Sequence, residues 1–444
     1  MSVCCPQSVT ASLADQITAD WVLPVEGAPI RNGAVAVEEG GRIAAVGPAT
    51  KLGEAERYPD AVILPGFVNA HSHLEYAVYG GFGDGLSFAP WVLVHVERKA
   101  RIELAEMEAI ARLGAAQCLG SGVTTVGDSS FSGAAARACA ELGLRAIVYL
   151  EVFGTGLEQL DGRFAENRER ITECLSDRVR LGVSPHAPYT CSPELYAACL
   201  ELGLPVATHV NESADELRWL ASGKGPWESV AANLPPPLGE SGIRALARRG
   251  LLSPRIAAAH CVKLDRDELD LLVENDVAVV HCPRSNAALG CGIAPLASMR
   301  AAGLRVGLGT DSPASAPSFD MFDELRAALL SSRAREERPD ALTAAEALEL
   351  ATLGGARALG LDDEIGSLAP GKHADLTIVA LDGSPFLPWE DPVTAVVLGG
   401  SPDRVVATLV SGETRYERGR AWPELTDAAS SARGRLLSPG APTS

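Results

Sequence analysis

The 444 residues, 47% hydrophobic and 21% charged, exceed one ordinary domain and have the balance of a globular chain, which excludes a disordered polymer or a fibrous repeat. A formal charge of -19 repels phosphate backbones and anionic lipid surfaces, so nucleic acid is excluded as a partner. Ten cysteines without a Cys-x-x-Cys pair read as reduced thiols of a cytosol-like compartment, and no run of about 18 apolar residues offers a membrane span.

In chain order, the start MSVCCPQSVTASLADQ has neither the basic region nor the continuous apolar core of a secretory signal, which gives a cytoplasmic expectation. From residue 16 to 63, the segments ITADWVLP, GAVAVEEGGRIAAVG and AVILPG, separated by glycine-bearing turns, read as small antiparallel strands. The pattern then changes to apolar strands alternating with amphipathic helical stretches, the mark of parallel β/α units. Eight candidate strands follow: AVILPGFVNA, VTTVGD, LRAIVYLEVF, VRLGVSPHAP, PVATHVNE, RIAAAHCV, VAVVHCP and RVGLGTDS. Eight strands with crossover helices are what a closed (β/α)8 barrel of the TIM type requires, so the fold class is α/β.

The Pro- and Gly-rich stretch from Ala221 to Gly242 reads as a lid-like insertion after strand five. A second strand-rich patch, HADLTIVAL, VTAVVLGG and VVATLVSGETRYERGRAW, closes the chain. The two ends are expected to meet in one small β-sandwich, and the Ser-, Gly-, Ala- and Pro-rich tail after Trp422 to be loose. The expected division is 1–63 and 363–422 for the sandwich, 64–362 for the barrel and 423–444 for a flexible tail.

Chemistry-bearing residues fall at the carboxyl ends of the candidate strands, where a barrel builds its active site. Strand one ends in His71-Ser72-His73, four in His186, five in His209 with Glu212 close behind, six in His260 and eight in Asp311. Residues two apart on a strand share a face, so His71 and His73 can both meet one ion. His209 and Asp311 would complete a set of imidazoles and one carboxylate suited to zinc, or alternatively iron. A lone His-x-His is weak; placement on several strands at once is what packing alone does not demand. Glu212 lies within reach of a water on the same ion and can pass a proton to a substrate nitrogen. Its alternative is a helix-terminal charge before SADELRWLA, as Asp311 has the alternative of capping the turn DSPAS. His73-Leu74-Glu75 mimics the His-x-Glu of cytidine deaminases but lacks their Pro-Cys-x-x-Cys. Cys261 and Cys282 read as buried fillers. His281 reads as lining the mouth or facing the wall, and His95 and His373 as structural or exposed.

At PGFVNAHSHLE, SPHAPYT, THVNES, AHCV, HCPRSN and GTDSPAS, followed by GSLAPGKHADL, the chain resembles the amidohydrolase superfamily from about Gly33 to Arg420. Within it, the sequence is most similar to the adenine-nucleoside deaminases acting on S-adenosylhomocysteine, methylthioadenosine or aminodeoxyfutalosine. The resemblance implies His71, His73, His209 and Asp311 as ligands of one divalent ion and Glu212 as proton shuttle. It implies His260 as partner of the attacking oxygen and His186 as a contact to heterocycle or ribose. Glu97 is the candidate for the family's ribose-binding glutamate, against a solvated helix charge. Binuclear members use a carboxylated lysine on a barrel strand; Lys51, Lys99, Lys224, Lys263 and Lys372 all fall elsewhere, which favours a single ion. Leu150-Glu151 stands at the end of strand three, where homocysteine-type enzymes carry arginine. Leu74-Glu75 follows His73, where methylthioadenosine enzymes carry Pro-Met. Both features lean towards the aminodeoxyfutalosine branch. The implied reaction converts a 6-aminopurine nucleoside to its 6-oxo form, with water as co-substrate, ammonia as product and no organic cofactor. The alternatives are a guanine, pterin or triazine aminohydrolase or chlorohydrolase, and a barrel that binds metal and ligand without turnover. A homo-oligomer is left open.

Overall fold

The computed structural model describes residues 15–49, 56–383 and 391–437; the start as far as Ala14, with Cys4 and Cys5, and Lys51 lie outside them. Four strands open the chain: β1 (Asp15–Val22), β2 (Ile30–Val37), β3 (Ile43–Pro48) and β4 (Glu56–Pro65). Eight follow in the middle: β5 (Phe67–Ser72), β6 (Val123–Ser130), β7 (Arg145–Val152), β8 (Val179–Pro185), β9 (Val206–Val210), β10 (Ile256–His260), β11 (Ala278–His281) and β12 (Val306–Leu308). Three close it: β13 (Leu376–Ala380), β14 (Val405–Val410) and β15 (Glu413–Glu417).

The end segments meet as expected, in a seven-stranded sheet of order β15-β14-β13-β4-β1-β2-β3. It is mixed rather than purely antiparallel. The hairpin β2–β3 is formed before the chain returns, so β4 pairs parallel with β1 on one side and antiparallel with β13 on the other, Ile63 opposite Ile378. Ile17, Val35, Ile63, Leu376 and Ile378 give this sheet its own core. The run AVILPGFVNA serves both sheets and breaks at Gly66: β4 stops at Pro65 and β5 starts at Phe67. A Cβ at Gly66 would lie 2.1 Å from the Thr124 methyl, so only glycine lets the chain pass between the two sheets.

Strands β5 to β12 are parallel, each paired with its neighbour in sequence order. Between the first and last of them the barrel is held by side chain and backbone together. The Asn69 amide donates to the Thr310 hydroxyl at 2.7 Å, the Thr310 N–H donates to Asn69 Oδ1 at 2.9 Å, and the Asp311 N–H donates to the His71 carbonyl at 3.0 Å. Alternate residues such as Ile147, Tyr149, Ala207, Ala257, Ala278 and Val280 fill the interior.

Two segments differ from expectation. VTAVVLGG forms the helix Pro392–Gly399 instead of a strand: the Asp391 carboxylate accepts the N–H groups of Val393 and Thr394, and Pro392 supplies a preset first helical residue. The tail is not loose as far as it is described, since Pro423–Leu437 is a helix. Ala429, Ala432 and Leu436, spaced three and four apart, bury against the helix Leu104–Gly120, and Arg433 donates to the carbonyls of Val78 and Gly80. A composition of small residues hid this stripe. Leu436→Ala is expected to cost about 2–3 kcal/mol and lower the thermal midpoint by a few degrees, read by calorimetry; an unchanged midpoint would show the helix to be dispensable.

Candidate active site

The residues picked out at five strand ends converge on the barrel mouth. Val68 and Ala70 face the interior, so strict alternation would turn His71 away. The pairing of β5 with β6 slips register between Asn69 and Ser72, and His71 joins His73 with ring centroids 5.0 Å apart. The segment after His73 is buckled to the next strand. The Asp128 carboxylate accepts the Ser72 hydroxyl at 2.8 Å and the Leu74 N–H at 2.7 Å. Glu75 accepts the hydroxyls of Ser130 and Ser132 and the N–H groups of Phe131, Ser132 and Ala134. Glu75 is therefore a brace at a helix start, which explains the misleading His-x-Glu. His260 and Asp311 are aimed by backbone in the left-handed region, with φ of 71° and 58°, a strained conformation of the kind found at functional sites.

Nitrogen atoms of His71, His73 and His209 lie within 4.8 Å of one another. His73 Nε2 and His209 Nε2 are 3.3 Å apart, close to the roughly 3.3 Å that tetrahedral zinc with bonds of about 2.0–2.1 Å requires. His209 Nδ1–H donates to the His186 carbonyl at 2.8 Å, which leaves its Nε2 lone pair for an ion. Among the described residues His71 Nε2 is buried without a hydrogen-bond partner. Asp311 divides its work: Oδ1 lies 3.8 Å and 3.6 Å from the Nε2 atoms of His71 and His73, while Oδ2 accepts the hydroxyls of Ser285 and Ser315 at 2.6 and 2.9 Å. One oxygen is thus anchored to serine hydroxyls while the other faces the imidazoles. Burial, reinforced by neighbouring imidazoles, holds His71 well below its usual range, and burial brings His73 down to about 3. Neutral rings with free lone pairs and one carboxylate fit a divalent cation.

Glu212 is buried, and Glu216, not Glu212, serves the following helix: its carboxylate accepts the N–H groups of Asn211 and Glu212, with Ser213 capping Ala214–Ser222. Glu212 is left facing His260, Oε2 to Nε2 3.6 Å. Burial, then the charges of Asp311 and Glu216, push its carboxyl well above the usual carboxylate range. His260 donates Nδ1–H to Asn286 Oδ1 at 2.9 Å, and burial brings it down to about 4. His186 is fixed likewise: the Thr190 hydroxyl donates to the Ala187 carbonyl and accepts His186 Nδ1–H at 2.8 Å, which leaves Nε2 as an acceptor.

These groups line a cavity of about 160 Å³ with the aromatic rings of Tyr76, Phe88, Trp91, Phe153 and Tyr189. Trp227 of the 221–242 insertion stacks on the wall residue Tyr189 with ring centroids 4.6 Å apart, so that stretch packs behind the cavity wall. Three residues of the lining escaped the sequence reading. His95, expected to be structural or exposed, borders the cavity between Trp91 and Tyr76. Lys99 reaches it from the helix Phe88–Lys99, and Glu151 from β7. The parity of Ile147 and Tyr149, four and two residues before Glu151, was the available signal. Glu97 is corrected as a ribose contact: its side chain is 65% exposed, lies outside the cavity lining and pairs with Arg101 one helical turn on. His281 is buried outside the lining with both ring nitrogens unpartnered, and Cys261 and Cys282 are buried as expected.

The model of the amidohydrolase family matches residues 62–415. The chain belongs to the amidohydrolase family. This amidohydrolase is 35% identical to the 5'-deoxyadenosine deaminase of Methanothermobacter thermautotrophicus, covering 89% of the chain and 91% of the relative. It is 34% identical to the 5-methylthioadenosine/S-adenosylhomocysteine deaminase of Symbiobacterium thermophilum, covering 89% and 92%. Among solved structures it is similar to an adenosine deaminase from Xanthomonas campestris with bound zinc, with a TM-score of 0.84 and 30% identity over 95% of this chain and 98% of that one. The motif resemblance is borne out, and the amidohydrolase is a hydrolase acting on carbon–nitrogen bonds of cyclic amidines. Among the described residues, no helix is long and apolar enough to cross a membrane.

Proposed function

We propose that this amidohydrolase is a zinc-dependent hydrolytic deaminase of 6-aminopurine nucleosides, holding one ion through His71, His73, His209 and Asp311. Its substrate class includes aminodeoxyfutalosine, S-adenosylhomocysteine, methylthioadenosine and adenosine. The observation that carries the reading is Glu212: a buried carboxyl 3.6 Å from His260 and beside the three-imidazole set. A zinc ion in that set supplies Lewis acidity, bringing the pKa of water from about 15.7 towards 7.

The chain's own groups do the rest. Glu212 donates its proton to the ring nitrogen beside the amino-bearing carbon, which makes that carbon electrophilic. His260, with Nδ1–H committed to Asn286, offers Nε2 to the hydrogen of the attacking oxygen, and Asp311 orients the same oxygen. The water proton passes through Glu212 to the amine of the tetrahedral adduct; the carbon–nitrogen bond breaks, the remaining hydroxyl proton returns to Glu212, and ammonia and the 6-oxo nucleoside leave. Stacked aromatic walls suit a flat heterocycle and exclude bulk water. The test is ammonia release by zinc-loaded protein from a panel of these four nucleosides and guanine. Release from at least one adenine nucleoside is expected, whereas activity confined to guanine, or none at all, would overturn the proposal.

A further inference from the structure

One wall of the cavity is built differently from the rest. The helix Phe88–Lys99 gives it Trp91, Val92, His95, Val96 and Lys99, yet of its twelve residues only Phe88 and Ala89 are buried. The helix Leu104–Gly120, which follows it in the chain, buries a stripe from Met107 to Leu119. With so little apolar surface withdrawn from water, the position of the wall helix depends on directional contacts at its flanks. The approach to it passes Gly81, Gly83 and Gly85 at φ of 85°, 78° and 79°. A Cβ on Gly81 or Gly85 would meet nothing within 4 Å, so that side supplies little packing.

The contacts come from the far end of the chain. The helix Pro423–Leu437 is seated on Leu104–Gly120 by Ala429, Ala432 and Leu436, and from that seat it holds both flanks of the wall helix. On the approach, the Arg433 guanidinium donates to the carbonyls of Val78 and Gly80, the second at 3.1 Å. On the exit, Arg98 and Arg101 donate to the Leu436 carbonyl at 3.0 and 3.4 Å, at the negative end of the C-terminal helix. The Phe82 ring joins the two halves, with the Arg98 guanidinium 4.1 Å and that of Arg433 5.1 Å from its centre. Trp91 tethers the middle of the wall helix by donating Nε1–H to the Ala314 carbonyl at 3.0 Å, which leaves the C-terminal helix to set the two ends. Arg435, two residues from Arg433, instead pairs with Glu103 and Glu106 at 2.9 and 3.0 Å, outside the wall helix.

We propose that the C-terminal helix is a clasp on this wall and that Arg433 is a positioning residue for substrate binding, acting through the side chains of the wall helix. The effect on substrate rests on the nucleoside reading above; the clasp itself does not. The test compares zinc-loaded Arg433→Met with Arg433→Lys and with Arg435→Met, a matched change on the same helix that spares the wall. Amide hydrogen exchange over residues 88–99, followed by mass spectrometry, is expected to quicken about tenfold in Arg433→Met, to recover in part in Arg433→Lys and to stay unchanged in Arg435→Met. KM for the adenine nucleoside that the protein deaminates is expected to rise about tenfold in Arg433→Met, with kcat within about threefold and zinc content intact, a split that a loss of overall stability would not produce. Arg98→Met cuts the clasp from the wall side and is expected to give the same pattern, which decides the matter should Arg433→Met not fold. Unchanged exchange, an equal change in Arg435→Met, or faster exchange with an unaltered KM would overturn the proposal. Absence of ammonia release by the unsubstituted protein would sink the deaminase reading, and exchange alone then decides the clasp.

Discussion

Glu212→Gln is expected to lose turnover by about three to four orders of magnitude while keeping its zinc. The substitution preserves shape and removes the exchangeable acid proton, so it isolates proton transfer from packing. Among the described residues Glu212 makes no side-chain hydrogen bond that braces the site; the following helix is held by Ser213 and Glu216. His209 and Asp311 are oriented by His186, Ser285 and Ser315, all independent of it. Metal analysis and ammonia release on the same preparation read the two quantities. Activity within about tenfold of the unsubstituted protein would remove Glu212 from the chemistry, and joint loss of metal would make it a structural residue.

Graded loss of metal is the second large effect. His209→Ala deletes a nitrogen whose lone pair is freed for an ion by the bond from its other nitrogen to the His186 carbonyl. Ser285→Ala leaves every ligand in place but removes the 2.6 Å hydrogen bond that orients the Asp311 carboxylate. Loss of such a supporting bond is expected to weaken zinc binding about 10- to 100-fold, less for Ser285→Ala because Ser315 still donates to the same oxygen, and loss of His209 by more than that. Competition with a coloured chelator measures both. Equal affinity in all three proteins would show that the ion is held elsewhere.

Much of this was legible because period and position speak together. Eight apolar runs separated by amphipathic helices announce a parallel barrel, and polar residues at their carboxyl ends announce its mouth. What stayed hidden depends on contacts between distant segments. The parallel pairing of β1 with β4 cannot be read from either strand alone. VTAVVLGG has the β-branched look of a strand, but Asp391-Pro392 starts a helix there, and the cap outweighs propensity. In the tail, low-complexity composition masked three apolar positions with helical spacing. Glu97 and Lys99 are two residues apart on one helix, and only its packing decides that Lys99 turns inwards and Glu97 outwards. The signal for Glu151 was present in the alternation of β7.

The seam between β5 and β12 lies where His71 and His73 meet Asp311. An ion held there would rivet the two free edges of a curled sheet, on top of the Asn69–Thr310 latch. Its tenancy would then report whether the ring of strands is shut, and a protein assembled without it would be weakest along one longitudinal line rather than uniformly softened.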